Sequence, residues 1–201
     1  MRREKDQLTK GTREPERVPL VLTIGHSTRL LEDFIDLLNT HGVKMIVDVR
    51  TVPRSRHNPQ FNLDTLPEAL RDAGIGYEHM PGLGGLRHAR SDSPNMGWHN
   101  SSFRGFADYM QTEDFEKSLE KLIRLAQRKR TCLMCAEAVP WRCHRSLIAD
   151  ALQVRGLSVG HITSKGQPQP HKLTPFARVD RTRITYPAET ESDRPTSKSD
   201  C

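Results

Sequence analysis

The apolar positions of this chain fall into short blocks with two alternating periods. Val18-Pro-Leu-Val-Leu-Thr-Ile24 is a run of β-branched and aliphatic residues of the kind that forms a buried strand. It ends in Gly25-His26-Ser27-Thr28. Leu30, Leu31, Phe34, Ile35, Leu37 and Leu38 then recur at helical spacing, with Ser27 or Thr28 as the expected cap and Gly42 as the expected stop. Met45 to Val49 reads as a second buried strand, and R-T-V-P-R-S-R-H-N-P-Q after it as a loop. Leu63 to Ala73 is a helix closed by Gly74, and Ile75 to Met80 a third strand. Residues 81–102, rich in Gly, Ser, Asn and Pro, form a long loop. Helices follow over 103–110 and 113–130. The second is capped by Thr112 and carries acids early and bases late, as the helix dipole favours. Residues 131–135 are a fourth strand, about 142–155 a helix ended by Gly156, and 158–162 a fifth strand. Residues 176–179 and 184–186 are expected to add a small terminal strand or extension.

Strand and helix alternate, which predicts a three-layer, Rossmann-like α/β domain over 18–186: a mostly parallel sheet of about five strands with helices on both faces. In such sheets ligands bind where strand carboxyl ends open into loops. Those ends are Gly25-His26-Ser27, Asp48-Val49-Arg50, Glu78-His79 and Cys135-Ala136-Glu137. Ionisable residues gather there, which a scaffold alone does not require.

Composition trims the picture. Hydrophobic residues make up 35% of the 201, so part of the chain is not expected to pack. Residues 1–17 and 187–201 are polar enough to be disordered tails. The net charge is +6, of which residues 18–178 carry +5. The basic excess therefore belongs to the domain and fits an anionic partner: a nucleotide, a nucleic acid or a phosphorylated metabolite. No segment is apolar enough to span a membrane, and no secretory signal opens the chain. Four cysteines in a chain of this length do not make a disulfide framework, so the cytoplasm is the expected compartment. Cys201, in the tail, reads as an incidental thiol.

The densest chemistry lies in C132-L-M-C-A-E-A-V-P-W-R-C-H-R145. Cys132 and Cys135 are three apart on a strand and point to opposite faces, so Cys132 belongs to the core. Cys135 ends the strand, with Glu137 just beyond. Cys143 lies at the start of the next helix beside Arg142, His144 and Arg145, where a thiol becomes acidic. It reads as a reactive thiolate or as a packing residue. Cys135, Cys143 and His144 also read as soft metal ligands with Glu137 as acid/base, and C-A-E resembles the opening of zinc deaminases. The later P-C-x-x-C of those enzymes is missing, and adjacent Cys143 and His144 are awkward for one ion, so no metal is assigned. Arg142, His144 and Arg145 opening a helix also read as an anion site. In the second cluster, Asp48 and Arg50 leave the same side of their strand, and Arg54, Ser55 and Arg56 sit on a proline-stiffened loop. The third cluster, Arg87, Trp98 and Arg104 on the long loop, suits stacking on a base. His26 is a candidate proton carrier. His161 is assigned no role.

The blocks T23-I-G-H-S-T-R29, D48-V-R-T-V-P-R-S-R-H-N-P-Q-F-N62, G74-I-G-Y-E-H-M-P-G-L-G-G-L-R87, F103-R-G-F-A-D-Y-M110, M134-C-A-E-A-V-P-W-R-C-H-R-S-L-I-A-D150 and V159-G-H-I-T163 together resemble the domain of unknown function 488 family, in order from about residue 20 to 186. The resemblance implies an α/β fold and supplies no reaction. The family's motif residues that match are His26, Ser27, Asp48, Arg50, Pro53, Ser55, Cys135, Glu137, Cys143, His144 and Arg145.

These readings point to one polar pocket at the carboxyl edge of the sheet. In the leading expectation it is an enzyme site. Ser27, Arg50, Arg54, Ser55, Arg56, Arg87, Trp98, Arg104 and Arg145 would bind an anionic ligand. Cys143, Glu137, Asp48, Cys135, His144 and His26 would carry the chemistry. A non-catalytic binding module and a thiol redox-responsive protein using Cys135 and Cys143 are the alternatives. No cofactor is named.

Overall fold

The computed structural model describes residues 20–188. Apart from Pro187 and Ala188, the tails expected at 1–17 and 187–201 lie outside these residues, as do Val18, Pro19 and Cys201. Strands β1 (Leu20–Gly25), β2 (Met45–Asp48), β3 (Gly76–His79), β4 (Thr131–Cys135) and β5 (Ser158–Ile162) pair in parallel. A two-residue strand β6 (Gln169–Pro170) runs antiparallel beside β5. It was not foreseen, because two residues carry no period, and Pro170 fits only at a sheet edge. The order is β3-β2-β4-β1-β5-β6. A three-layer, mostly parallel α/β fold is therefore what the chain adopts.

Strand alternation sorts the core into two layers. Val21, Val47, Leu133 and Val159 face one side of the sheet, where α3 (Ser101–Tyr109), α4 (Glu113–Ala126) and α5 (Arg145–Gln153) supply Phe106, Phe115, Leu119 and Leu147. Leu22, Ile46, Cys132 and Met134 face the other, where α1 (Leu31–Thr40) and α2 (Leu66–Asp72) supply Phe34, Leu38, Leu66 and Leu70.

The helix ends depart from expectation in places. Leu30, not Ser27 or Thr28, precedes α1, and it makes no side-chain cap bond. Ser27 is instead part of the turn leaving β1, with φ 52°. The long loop ends earlier than expected, because Asn100 caps α3 by accepting from the backbone N–H groups of Ser102 and Phe103. That signal, an Asn before an amphipathic run, was present in the sequence. Thr112 caps α4 by accepting from Phe115 N–H, as expected. Gly42 ends α1 with φ +64°, a conformation that costs other residues.

Residues 145–152 of α5 are all buried. The helix lies between the sheet and a C-terminal strap formed by residues 169–186. The strap ends in the hairpin of β7 (Arg178–Asp180) and β8 (Arg183–Thr185), the terminal strands anticipated from sequence. Fully buried Asp150 anchors it by accepting from His171 Nε2 (2.7 Å), from Thr174 N–H (3.1 Å) and Oγ1 (2.7 Å), and from the Tyr186 hydroxyl (2.9 Å). His171 Nδ1 lies 3.1 Å from His161 Nε2, and His161 Nδ1 lies 2.8 Å from Thr23 Oγ1. No helix among the described residues is long and apolar enough to cross a membrane.

Topology locates the functional edge. The connection leaving β1 passes over β4 to reach β2 on the α1 face. The connection leaving β4 passes over β1 to reach β5 on the α5 face. Neighbouring strands whose loops depart to opposite faces leave a crevice at their carboxyl ends.

His161 provides a pH test of the strap. Burial lowers its pKa from 6.5 to about 4, with the His171 and Arg145 charges adding to this and Asp150 opposing it. The unfolded chain therefore binds the proton more readily. The stability this site contributes is complete above pH 6.5 and is lost as pH falls through about 4. Denaturant midpoints followed downward from neutral pH are expected to fall over this window, and to fall less in His161→Gln.

Candidate functional site

The crevice between the ends of β1 and β4 opens into a cavity of about 560 Å³. Its walls come from four loops: His26 to Thr28 after β1, Arg50 to Asn58 after β2, Gly85 and Leu86 with Ser102 and Phe103, and the turn after β4 that supplies Cys135 to Glu137 and Arg142 to His144. The β1–β4 ladder extends into it, since His26 N–H bonds Cys135 O and Ser27 N–H bonds Ala136 O, both at 2.9 Å. The turn lies so flat on β1 that a Cβ at Gly25 would sit 1.9 Å from Glu137 O and 2.8 Å from Ala138 Cα. Only glycine fits there.

Arg145 holds that turn from below. It is fully buried, and Nη2 donates to Glu137 O. Its Nε donates to Cys143 Sγ at 3.3 Å. No carboxylate among the described residues pairs with it, and Nη1 has no partner. Cys143 is 4% exposed and immediately precedes His144, the N-cap of α5. Hydrogen bonding from the Cys135 thiol is the chief cause that holds Cys143 well below the ordinary thiol range. Burial opposes this, while His144 and the Arg145 charge add to it. The same hydrogen bond and burial push the Cys135 thiol up. Cys132 lies in the opposite core layer, fully buried.

His144 Nε2 lies 3.1 Å from Val49 O, and its Nδ1 lies 3.7 Å from Cys143 Sγ. The adjacency of Cys143 and His144, which argued against a shared ion, does not separate their side chains. The ligand atoms of Cys135, Cys143 and His144 all lie within 4.8 Å of one another. This is the one set of described residues that could hold a metal ion.

The second wall is an internal ion pair. Fully buried Asp48 accepts from Arg50 N–H (3.0 Å), from Arg50 Nε (2.9 Å) and Nη2, and from the Tyr77 hydroxyl (2.7 Å). Arg50 Nη2 also donates to Phe61 O at 2.7 Å, and its Nη1 lies 3.2 Å from His26 Nε2. Asp48 does not line the cavity, and Arg50 lines it with its charge already compensated. His26 stacks on Phe61 at 4.3 Å, and Nδ1 lies 2.8 Å from Ser27 O. Burial lowers its pKa to about 4, so it sits in the wall as a neutral ring bonded at both nitrogens.

The structure therefore brings together His26, Ser27, Arg50, Arg54, Ser55, Cys135, Glu137, Cys143 and His144. Arg56 is exposed and outside the cavity, and Arg145 lies beneath it. Three expected binders are elsewhere. Arg87 lies over the Tyr109 ring at 3.7 Å. Trp98 packs among Phe103, Phe176 and Tyr186. Arg104 reaches Met96 Sδ at 3.7 Å. The long loop folds against α3 and the strap, so these three side chains lie outside this cavity. Residues the sequence did not single out also line the cavity: Asn58, Gly85, Ser102, Phe103 and the exposed apolar lip of Val52 and Leu86. Asn58 was legible only as a polar residue on the same stiff loop. Phe103 and Leu86 look like ordinary core or surface residues until the chain folds.

Fold and site define an α/β protein with a paired-thiol pocket at the topological switch point of its sheet. The family model described as "Domain of unknown function DUF488" matches residues 30–152, more than half of the chain, and the chain belongs to that family. The match takes in the loops after β2 and β4, while His26, Ser27 and the strap lie outside it. No curated protein and no solved structure matches the chain.

Because the Gly25 contact is to backbone, Gly25→Ala must move the 136–138 turn. It is expected to cost about 1–3 kcal/mol by urea unfolding, and to alter the alkylation rate of Cys143 in the folded protein. An unchanged stability and rate would show that the turn does not depend on this contact.

Proposed function

We propose that the cavity is the catalytic site of an enzyme acting on a phosphorylated ligand, such as a nucleotide, a nucleic acid or a phosphometabolite, with Cys143 as the nucleophile. The observation that carries this reading is Arg145. A buried guanidinium without a carboxylate donates to the Cys143 sulfur, and that sulfur supplies the missing counter-charge. Arg54 and Arg142 stand exposed on the cavity wall with no acidic partner among the described residues, which leaves them free for phosphate oxygens. Arg50 and Arg145, expected to share that task, have their charges compensated internally. Glu137 is the acid/base candidate, since Asp48 is buried under four donors.

In the step this arrangement supports, the Cys143 sulfur attacks phosphorus. An S–P bond forms as the P–O ester bond breaks, and the leaving oxygen takes a proton from protonated Glu137. Water then attacks phosphorus, gives its proton to Glu137 and releases phosphate, and the sulfur leaves as thiolate. The domain's basic excess supports an anionic substrate, and free thiols support a reducing compartment such as the cytoplasm.

A second reading, a non-catalytic binding module, is favoured by one observation. The Glu137 carboxylate already accepts Val139 N–H at 2.9 Å, a turn-building role.

In the presence of a chelator, iodoacetamide is expected to modify Cys143 before Cys132 and Cys135, as read by peptide mapping. With chromogenic phosphate monoesters and labelled nucleotides as probes, Cys143→Ser abolishes turnover. Glu137→Gln lowers turnover by about 10²–10⁴ without loss of binding. Turnover that survives Cys143→Ser ends the nucleophile assignment. If only binding is found, Arg54→Ala and Arg142→Ala are expected to weaken it and flatten its salt dependence, while Cys143→Ser leaves it unchanged.

A further inference from the structure

We infer that Cys135 Sγ, Cys143 Sγ and His144 Nδ1 form a binding site for a soft divalent cation of the Zn²⁺ class, with its fourth position open to the cavity. Three ligand atoms from the end of β4 and the residues before α5 converge to within 4.8 Å of one another. Zn–S and Zn–N bonds of about 2.3 and 2.0 Å set tetrahedral ligand edges of roughly 3.5–3.8 Å. The Cys143–His144 pair, at 3.7 Å, already spans such an edge. The remaining adjustment is about 1 Å.

Three further observations point to a ligand. First, the Val49 carbonyl can only accept, so the Nε2 facing it carries the proton, and in the neutral ring Nδ1 keeps its lone pair. A ligating imidazole tied back through its other nitrogen to a carbonyl is the usual outer support of a metal site. Second, a Cβ at Gly85 would lie 2.5 Å from His144 Nδ1. The same Cβ would lie 2.7 Å from Cγ and 3.0 Å from Cε1, over the ring face, so glycine there lets the backbone pack on the imidazole and hold its orientation. Third, the Cys143 sulfur receives Arg145 Nε, an N–H donor suited to a charged thiolate. Two thiolates and a neutral imidazole select a soft cation over Mg²⁺ or Ca²⁺. With three protein ligands beside an open cavity, the site is an exchangeable one rather than a closed structural one.

The site stands on its own geometry. Its consequence for activity rests on the reading of Cys143 as nucleophile: a cation on that sulfur closes the covalent step, and its removal reopens it.

The test uses the full chain, reduced and stripped with a chelator, and titrated with Co²⁺. Binding is expected to produce the visible bands of tetrahedral Co²⁺ and sulfur-to-cobalt charge transfer, both displaced by Zn²⁺. Cys135→Ser, Cys143→Ser and His144→Ala each weaken Co²⁺ by at least about tenfold, and Cys132→Ser leaves it unchanged. Should a variant fail to fold, the wild type still decides. Zn²⁺ is expected to slow alkylation of Cys135 and Cys143 together, with no effect on Cys132. An octahedral spectrum, or tetrahedral bands that persist in both Cys135→Ser and Cys143→Ser, overturns the site. If Cys143 alkylates equally fast with and without Zn²⁺, the metal site falls and the nucleophile reading stands. If Co²⁺ binds as expected but chelated Cys143 is unreactive, the nucleophile reading falls and the metal site stands.

Discussion

A buried guanidinium without a carboxylate is the constraint on which this protein's site depends. Taking the Arg145 charge out of water costs several kcal/mol unless something answers it. What answers it is the Glu137 carbonyl and the Cys143 sulfur. The carbonyl must reach back over the end of β1, which is why Gly25 stands there. In the proposed function that sulfur carries the charge, and the neighbouring Cys135 thiol favours it by donating a hydrogen bond. Loop shape, strand-end glycine and sulfur chemistry thus follow from one buried cation.

The Asp48–Arg50 pair does for the β2 end what Arg145 does for the β4 end, by a different route. Its charges cancel within the protein, and the surplus donors go to Phe61 O and to the wall imidazole of His26. Such a pair is weak evidence for stability but a strong determinant of shape, because neither partner can move without stranding the other. The cavity therefore has compensated charges in its walls and, on its solvent side, Arg54 and Arg142, which have no acidic partner among the described residues. The apolar lip of Val52, Leu86 and Phe103 adds a non-ionic surface to the same cavity.

Much of this was legible before folding. The short apolar runs Val18–Ile24, Met45–Val49 and Thr131–Cys135 announced strands, and the polar residues just past them announced the functional edge. The placement of β4 between β2 and β1 was not legible, because strand order depends on which helices cover which face, and no local period encodes that. Arg145 read as a phosphate binder because nothing local shows that its guanidinium is buried and spent on the Glu137 carbonyl and the Cys143 sulfur. Arg87, Trp98 and Arg104 looked like binders because arginine and tryptophan carry the same signature whether they meet a base or pack against Tyr109 and Phe176.

By itself, then, the sequence determined where the five parallel strands and the main helices lie, that the sheet is mostly parallel and covered on both faces, and which strand ends carry ionisable groups. Hydrophobic period and cap chemistry are local and survive without a partner. Tertiary structure alone decided which of those groups share a cavity, which arginines are spent inside the protein, and that three soft atoms converge beside Gly85. Those outcomes depend on burial and on distances between residues remote in the chain, and such distances exist only once the layers have packed.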